Sequence, residues 1–212
     1  MTSHGPSHFQ RIYNASKDPW NYQNSDYEKA KRDATVAALD GRRFRSGLEV
    51  GCSIGELTHR LADYCDQLLG VDFIDEALAL ARVRCGNKAW VSFRNIQVPL
   101  EWPEGQFDLI VLSEVLYFLS SEDSQNVVAL CKRGLAADGL ILLVNWLDKS
   151  PDDPASGDAA AARFIETGRD WLKVGFSRRA EGYRLDRLET LISSASARAT
   201  NRARQDWHNL RP

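Results

Sequence analysis

The chain has 212 residues, and its 27 lysines and arginines nearly balance 29 aspartates and glutamates, for a formal net charge of −2. This length and a hydrophobic content of 43% describe one soluble domain and exclude a disordered chain. The longest aliphatic runs, Leu109–Leu112 and Leu140–Val144, are far too short to span a bilayer, so a membrane protein is excluded as well.

Helical and strand patterns alternate along the chain. The first predicted helix, Asp26–Leu39, places Tyr27 and several alanines at helical spacing and ends before Gly41. The following patterns predict, in order, strand Gly47–Gly51, helix Glu56–Tyr64, strand Gln67–Val71, helix Ile74–Arg84, strands Trp90–Arg94 and Phe107–Leu112, helix Ser124–Leu135 and strand Leu140–Trp146. Aliphatic runs without polar alternation are typical of parallel strands buried on both faces. The fold class is therefore α/β, a doubly wound sheet with helices on both faces.

The last third of the chain is less regular. Helix Asp158–Thr167 precedes two strands, Trp171–Arg178 and Tyr183–Leu188, which we expect to pair as an edge hairpin. The acidic stretch 148–158 lies on the ligand side of the sheet and is interpreted as a solvated connection, with a recess for a cationic amine or a sugar as the alternative. The arginine-rich tail 193–212 is interpreted as a solvated helix or frayed end.

Cysteine and histidine usage argues against a metal site. The four cysteines are irregularly spaced and form no C-x-x-C motif; they are Cys52, Cys65, Cys85 and Cys131. The last three fall in apolar patterns interpreted as helical, so we expect buried, reduced thiols. The first residues show no basic start followed by an apolar stretch, so no secretory signal is visible and we expect a cytoplasmic protein.

A glycine loop follows the first predicted strand. Gly51 and Gly55 are four residues apart where the strand passes into a helix, which lets a ligand approach the backbone at a helix N-terminus. Asp72 ends the next strand, 21 residues after Gly51, where a carboxylate can accept both hydroxyls of a ribose. The loop is not G-x-G-x-x-G, so a mononucleoside suits it better than a dinucleotide does.

These motifs, together with Phe107–Val111 and the Asp138–Gly139 turn, resemble those of class I S-adenosylmethionine-dependent methyltransferases over about 47–146. A narrower likeness, to the NodS family of nodulation N-methyltransferases, rests on Asp18–Trp20, Tyr27–Glu28 with Lys31, and Ser113–Leu119. Members of that family methylate an amino group on a chitooligosaccharide. The resemblance implies a Rossmann-like, mostly parallel sheet of seven strands in the order 3-2-1-4-5-7-6.

The resemblance also implies roles for individual residues. S-adenosylmethionine, with S-adenosylhomocysteine as product and no metal, would be bound by Trp20, Lys31, Glu49, Gly51, Cys52, Ser53, Gly55, Asp72, Phe73, Gln97, Val98 and Ser113. Within one domain we expect an N-terminal lid and helix over 1–46, a cofactor-binding core over 47–146, a substrate-side loop, helix and hairpin over 147–192, and the tail.

Two positions depart from the family pattern. Ser53 stands where the middle glycine of the loop is usual, which crowds the loop but leaves Gly51 and Gly55 open. Gln97 stands where an acid usually meets the exocyclic amine of adenine; a glutamine oxygen can still accept that hydrogen bond while the backbone of Val98 donates to the ring.

Two residues after the fourth strand are candidates for catalysis. Glu114 could hold a substrate ammonium and take its proton, directly or through water, while Tyr117 orients or walls the site. The alternative, weighed equally, is that Glu114 caps the next helix and Tyr117 belongs to the core. Trp20 and Tyr22 could close over the cofactor and Lys31 could meet its carboxylate, although packing or surface roles are common for such residues.

Three rival functions share part of this pattern. Gly51–Gly55 also reads G-x-S-x-G, the nucleophile elbow of α/β-hydrolases, but only His59 and His208 follow Ser53. An NAD-dependent reductase would need a third glycine and a proton donor such as Tyr-x-x-x-Lys, and the sequence has neither. A non-catalytic nucleoside-binding module remains the principal alternative.

The near-neutral charge bears on the choice of partner. A nucleic-acid methyltransferase would favour a basic face, so we expect no nucleic acid and no membrane among the partners. The expected acceptor is a small polar molecule, an amino sugar or oligosaccharide first, and the expected state is a monomer or weak homodimer.

Overall fold

The computed structural model describes residues 3, 5–147 and 156–191. In this part of the chain, six helices surround one sheet of seven strands. The helices are α1 Pro6–Ala15, α2 Asp26–Ala37, α3 Glu56–Leu61, α4 Asp75–Arg84, α5 Ser121–Gly134 and α6 Gly157–Gly168. The strands are β1 Phe44–Val50, β2 Cys65–Asp72, β3 Val91–Asn95, β4 Phe107–Ser113, β5 Leu135–Trp146, β6 Leu172–Ala180 and β7 Tyr183–Thr190. Short 3₁₀ turns cover Ala62–Tyr64 and Leu116–Phe118.

The strand order is β3-β2-β1-β4-β5-β7-β6, as the family resemblance implied. Strand β1 pairs in parallel with β2 and β4, and β4 pairs in parallel with β5. Only β7 reverses direction, between β5 and β6, so the predicted edge hairpin is confirmed. The carboxyl ends of β1, β2 and β4 therefore meet at one edge of the sheet, which is where ligands bind in open α/β folds.

The core lies on both faces of the sheet. Alternate residues of β4 and β5 face two different clusters: Ile110 and Ile141 pack with α5 and α6, and Val111 and Leu142 pack with α2 and α3. All four of these side chains are fully buried, which explains why the strands are uninterrupted aliphatic runs. A third, smaller cluster joins α1 to the start of α4.

Helix α1 is absent from the elements predicted along the sequence. It begins with Pro6, which suits the first turn of a helix because its missing N–H is not needed there. Phe9, Ile12 and Tyr13 then follow at helical spacing and pack on Ile54. The apolar spacing alone is too short to predict a helix. Pro6 followed by that spacing is the signal from which the helix could have been predicted.

The other differences concern element ends. Cys65 begins β2 instead of lying in a helix, because α3 ends in a tight 3₁₀ turn at Ala62–Tyr64. Leu135 begins β5 and does not end α5, since the chain turns after Gly134 and Leu135 pairs with Phe107. All four cysteines are buried and free.

Asp158 is the described end of the acidic stretch. Its carboxylate accepts hydrogen bonds from Arg179 and Arg184, so it fastens the start of α6 to the hairpin. The rest of the acidic stretch, 148–155, and the basic tail lie outside the described residues. Within the described ranges, no helix is both long and apolar enough to cross a membrane.

Gly55 fixes the junction between the first loop and α3, and its replacement should be costly. It has a φ of +80°, and an added Cβ would lie 2.9 Å from Cα of Ala81 in α4. We expect Gly55→Ala to lower the free energy of unfolding by about 2–4 kcal/mol, from backbone strain plus a clash that α4 cannot relieve. Urea denaturation measures this. Gly41→Ala is the matched control, because Gly41 has a φ of +68° but nothing within 4 Å, and should cost only about 1 kcal/mol.

Candidate active site

A cavity of about 660 Å³ opens at the carboxyl ends of β1, β2 and β4. This volume lies within the range of about 300–1,000 Å³ that small-molecule sites occupy. Helix α1 lines the cavity through Phe9 and Tyr13, and the segment after β4 meets α1 where Phe118 makes an edge contact with Phe9, with ring centroids 4.8 Å apart. Eleven of the residues predicted to act on a ligand line this cavity: Trp20, Lys31, Gly51, Ser53, Asp72, Phe73, Gln97, Val98, Ser113, Glu114 and Tyr117.

The loop after β1 packs closely against the end of β4 because Gly51 has no side chain. Gly51 has a φ of +77°, and a Cβ there would lie 2.5 Å from Val115 and 3.2 Å from the carbonyl oxygen of Ser113. The loop and the end of β4 are therefore in close contact. A ligand that crosses Gly51 must also lie beside Ser113 and Glu114.

Ser53 is held in the left-handed region, with a φ of +50°. Its backbone N–H donates to Asp72 at 2.9 Å, and its hydroxyl lies 2.5 Å from the hydroxyl of Tyr13 in α1. The departure from the family's glycine therefore has a structural consequence, since it ties the covering helix to the ligand loop. In the described part of the chain this hydroxyl contacts Tyr13 and not His59, so His59 does not form the nucleophile–base pair that the hydrolase hypothesis requires, and His208 lies outside the described residues.

Asp72 ends β2 and points into the cavity. Its two oxygens accept hydrogen bonds from the backbone of Ser53 at 2.9 Å and of Ile74 at 3.0 Å. Burial raises the pKa of Asp72, and these hydrogen bonds oppose the rise. Each oxygen retains a lone pair, so the carboxylate can accept two further donors from a ligand, such as the hydroxyls of a ribose.

The neighbouring part of the wall suits a flat aromatic group. Phe73, Ile96, Gln97 and Val98 line the cavity where β2 and β3 end. Phe73 makes an edge contact with Phe9, with ring centroids 5.4 Å apart, so α1 helps to hold this side chain in place.

Glu114 is the centre of a buried polar network. Its φ is +59°, an unusual backbone conformation for a residue with a side chain, and such strain often marks a functional position. One carboxylate oxygen accepts from Nζ of Lys31 at 2.6 Å. The other accepts from the hydroxyl of Tyr117 at 2.7 Å and from the backbone N–H of Trp146 at 2.8 Å. Donors from three separate parts of the chain, α2, the 3₁₀ turn and β5, therefore fix this carboxylate.

Lys31 lies between two carboxylates. Its Nζ is 2.9 Å from Glu28 and 2.6 Å from Glu114, and its side chain is only 6% exposed. Burial alone would lower the pKa of Lys31, but attraction to Glu114 and Glu28 outweighs this and raises it. Burial raises the pKa of Glu28, against the pull of Lys31. The three groups together carry one negative charge when all are ionised.

Aromatic side chains complete the wall around this network. Trp20 makes an edge contact with Tyr13, with ring centroids 5.5 Å apart, and lies 5.7 Å from the ring of Tyr22. Burial raises the pKa of Tyr22 and of Tyr117 well above the usual value, with the charge of Glu114 acting in the same direction. Both phenols therefore stay protonated, and Tyr117 remains a hydrogen-bond donor to Glu114.

Glu49 and Cys52 do not line the main cavity; they line a small adjoining cavity of about 40 Å³. Burial raises the pKa of Glu49 to about 8, with the hydroxyl of Thr58 opposing the rise. Burial also raises the pKa of the Cys52 thiol well above its usual value, so it is not a reactive thiolate. Gly55 does not touch either cavity and acts through the backbone.

Two residues of the site, Tyr13 and Arg32, are not among those predicted from the sequence. Tyr13 belongs to the unpredicted helix α1. Arg32 follows Lys31 on α2, lines the small cavity and donates from Nη1 to the carbonyl oxygen of Tyr22 at 2.8 Å. Lys31 also lines this small cavity, so the two adjacent basic side chains reach the same space. The basic pair was a visible signal for a second cationic candidate.

Comparison with known proteins places this geometry in a family. Residues 7–143 match the family described as Nodulation protein S (NodS). Nodulation protein S of Azorhizobium caulinodans is 32% identical over 125 residues, 55% of this chain and 59% of that relative. The chain spans about half the length of the curated Nodulation protein S relatives that it matches.

Two solved structures share the fold. The N-methyltransferase NodS from Bradyrhizobium japonicum WM9, in complex with S-adenosylhomocysteine, has a TM-score of 0.74 and 22% identity over 87% of this chain and 97% of that chain. A candidate methyltransferase from Pseudomonas syringae has a TM-score of 0.66 and 34% identity over 77% of this chain and 98% of that chain. The family match covers more than half of the 212 residues, so the chain belongs to the NodS family.

Proposed function

We propose that this chain is an S-adenosylmethionine-dependent N-methyltransferase that acts on an amine of a small polar molecule. The observation that carries the proposal is the buried network of Glu28, Lys31 and Glu114 beside the Gly51 loop. With all groups ionised the network has an excess negative charge, which is costly in a buried place unless a cation balances it. An ammonium group supplies that balance, whereas a neutral hydroxyl acceptor does not.

The cavity wall fits S-adenosylmethionine. Asp72 has lone pairs to spare for the ribose hydroxyls, and Gln97 with Val98 lies where a base would reach beyond the ribose. Arg32 is a better partner for the cofactor's carboxylate than Lys31, because two carboxylates already occupy Lys31. When bound, S-adenosylmethionine supplies a methyl group that its sulfonium has already activated.

The residues of the chain then have three tasks: to hold the amine, to keep water away and to remove a proton so that the nitrogen has a free lone pair. Glu114 holds the ammonium form beside the reacting centre and receives its proton, directly or through a water molecule. Tyr117 and the backbone of Trp146 fix the direction of the Glu114 carboxylate. Trp20 and Tyr13 cover the site and exclude bulk water.

The acceptor itself is proposed to be an amino sugar or an oligosaccharide amine. Support comes from the Nodulation protein S relatives and from the wall, where aromatic rings such as Trp20 and Tyr22 can pack against a sugar. Membership in a family of transferases also favours turnover over a purely nucleoside-binding role, for which the strained Glu114 would have no use.

Calorimetry with S-adenosylhomocysteine tests the cofactor half of the proposal. We expect Asp72→Ala to weaken binding by about 100-fold, because two hydrogen bonds to a charged acceptor are lost. Asp72→Asn keeps the shape and part of the hydrogen bonding of the side chain, so it should fold even if the alanine variant does not. It should bind S-adenosylhomocysteine at least about 10-fold more weakly than the unmodified chain does.

Asp66→Ala is the control, since Asp66 stands at the opposite end of β2 and its half-exposed side chain pairs with Arg43. It should bind S-adenosylhomocysteine as tightly as the unmodified chain. Equal affinity in the Asp72 variants would remove Asp72 from the site, and no binding by the unmodified chain would overturn the proposed function.

A further inference from the structure

The charges on the cavity wall are strongly one-sided. Four carboxylates and one lysine line the main cavity among the described residues: Glu28, Asp72, Glu114, Asp123 and Lys31. The single lysine is already paired with two of the carboxylates, and its side chain is nearly inaccessible. The described wall therefore offers no unpaired lysine or arginine to an anionic group.

Asp123 extends the negative wall away from the network of Glu28, Lys31 and Glu114. It lies in the first turn of α5, accepts a hydrogen bond from the hydroxyl of Ser3, and faces the same cavity. Arg32 does not line the main cavity; it lines the small adjoining cavity, together with Glu28, Lys31 and Glu114. Carboxylates therefore outnumber lysines and arginines by four to one in the described wall of the main cavity, and Arg32 is the side chain that we assign to the cofactor's carboxylate.

We propose that the acceptor is a cationic amine that carries no phosphate or carboxylate group, and that the wall itself rejects anionic amines. The inference rests on the proposed function and narrows it to a charge class. An ammonium balances the network around Glu114, whereas a phosphate on the same molecule would be desolvated among like charges with no partner. Charge complementarity of this kind controls specificity by penalising the wrong partner.

Matched pairs of amines test this on the full chain. The pairs are ethanolamine with phosphoethanolamine, and glucosamine with glucosamine 6-phosphate, so that each pair differs only by the phosphate. The rate of S-adenosylhomocysteine formation gives kcat/KM, and quenching of tryptophan fluorescence in the presence of S-adenosylhomocysteine gives binding without turnover. We expect the phosphorylated member of each pair to be at least about 100-fold worse in kcat/KM and weaker in binding.

Glu28→Gln separates charge from size. This substitution keeps the shape of the side chain and frees one side of Lys31. The ratio of kcat/KM between the two members of each pair should therefore fall by about 10-fold. A merely steric exclusion of phosphate would leave the preference unchanged. Equal or better use of the phosphorylated members, or equal binding of both members, would overturn the inference. The proposed function would fail in a different experiment, if calorimetry showed that the unmodified chain does not bind S-adenosylhomocysteine.

Discussion

Glu114→Gln should bind S-adenosylhomocysteine as tightly as the unmodified chain and lose about 10²–10³-fold in kcat toward amine acceptors. The carboxylate touches the side of the cavity where the acceptor would lie, and it makes no hydrogen bond to Asp72 or to Ser53. Its removal should therefore spare the cofactor's ribose and base. The loss should fall on the proton and on the charge of the amine.

The amide cannot replace the carboxylate for a geometric reason. Both oxygens of Glu114 serve as acceptors, one for Lys31 and the other for Tyr117 and the backbone of Trp146. A glutamine offers one oxygen and one NH₂ group, so one set of donors would face another donor. The network around position 114 would also change from an excess negative charge to neutral, which removes its attraction for an ammonium.

Two further variants help to interpret the result for Glu114→Gln. Tyr117→Phe should lower kcat by only about 10-fold, because Glu114 keeps its other donors and its charge. Glu122→Gln, on the exposed face of α5, should leave both binding and turnover unchanged. Circular dichroism confirms folding in each case. Unchanged turnover in Glu114→Gln would leave that residue with a structural role alone.

The sheet could be predicted from the sequence because its signals are local. Leu109–Leu112 and Leu140–Val144 are aliphatic runs whose burial on both faces requires that composition, and the turn residues between elements have their own chemistry. The predictions were wrong where packing against distant residues decides which element forms. Pro6–Ala15 becomes a helix because Phe9 and Tyr13 find a surface on Ile54, which is 41 residues beyond Tyr13 in the chain.

The residues of the site also fall into two groups, those that local spacing predicts and those that are brought together by packing. Gly51 and Asp72 were identified because a loop and a strand end have a fixed relation in this fold, so their spacing along the chain carries the information. The pairing of Lys31 with Glu114 spans 83 residues and depends on how α2 packs beside β4. The hydrogen bond between Tyr13 and Ser53 likewise depends on α1. Nothing in the spacing of these residues specifies such contacts.

Glu49 makes the stability of the fold depend on pH. It lies in β1, is 1% exposed, and its Oε2 has no hydrogen-bond partner among the described residues. Burial raises its pKa from the usual 4.5 to about 8. The folded chain therefore holds a proton that the unfolded chain releases above pH 4.5, so the contribution of Glu49 to the free energy of unfolding falls as the pH rises from about 4.5 to 8 and is constant outside that window.

Glu49→Gln should abolish this dependence, because an amide resembles the protonated carboxyl and does not titrate. The variant and the unmodified chain should be similar in stability at pH 4.5, and by pH 7 the variant should gain about 3 kcal/mol relative to the unmodified chain. Urea denaturation across the pH range measures the difference in the free energy of unfolding between the variant and the unmodified chain. The other titrating groups contribute equally to both proteins and cancel in this difference. Glu181→Gln, in the exposed turn between β6 and β7, should show no such trend. A constant difference between Glu49→Gln and the unmodified chain at every pH would mean that Glu49 is ionised in the folded state and has a partner in the small cavity.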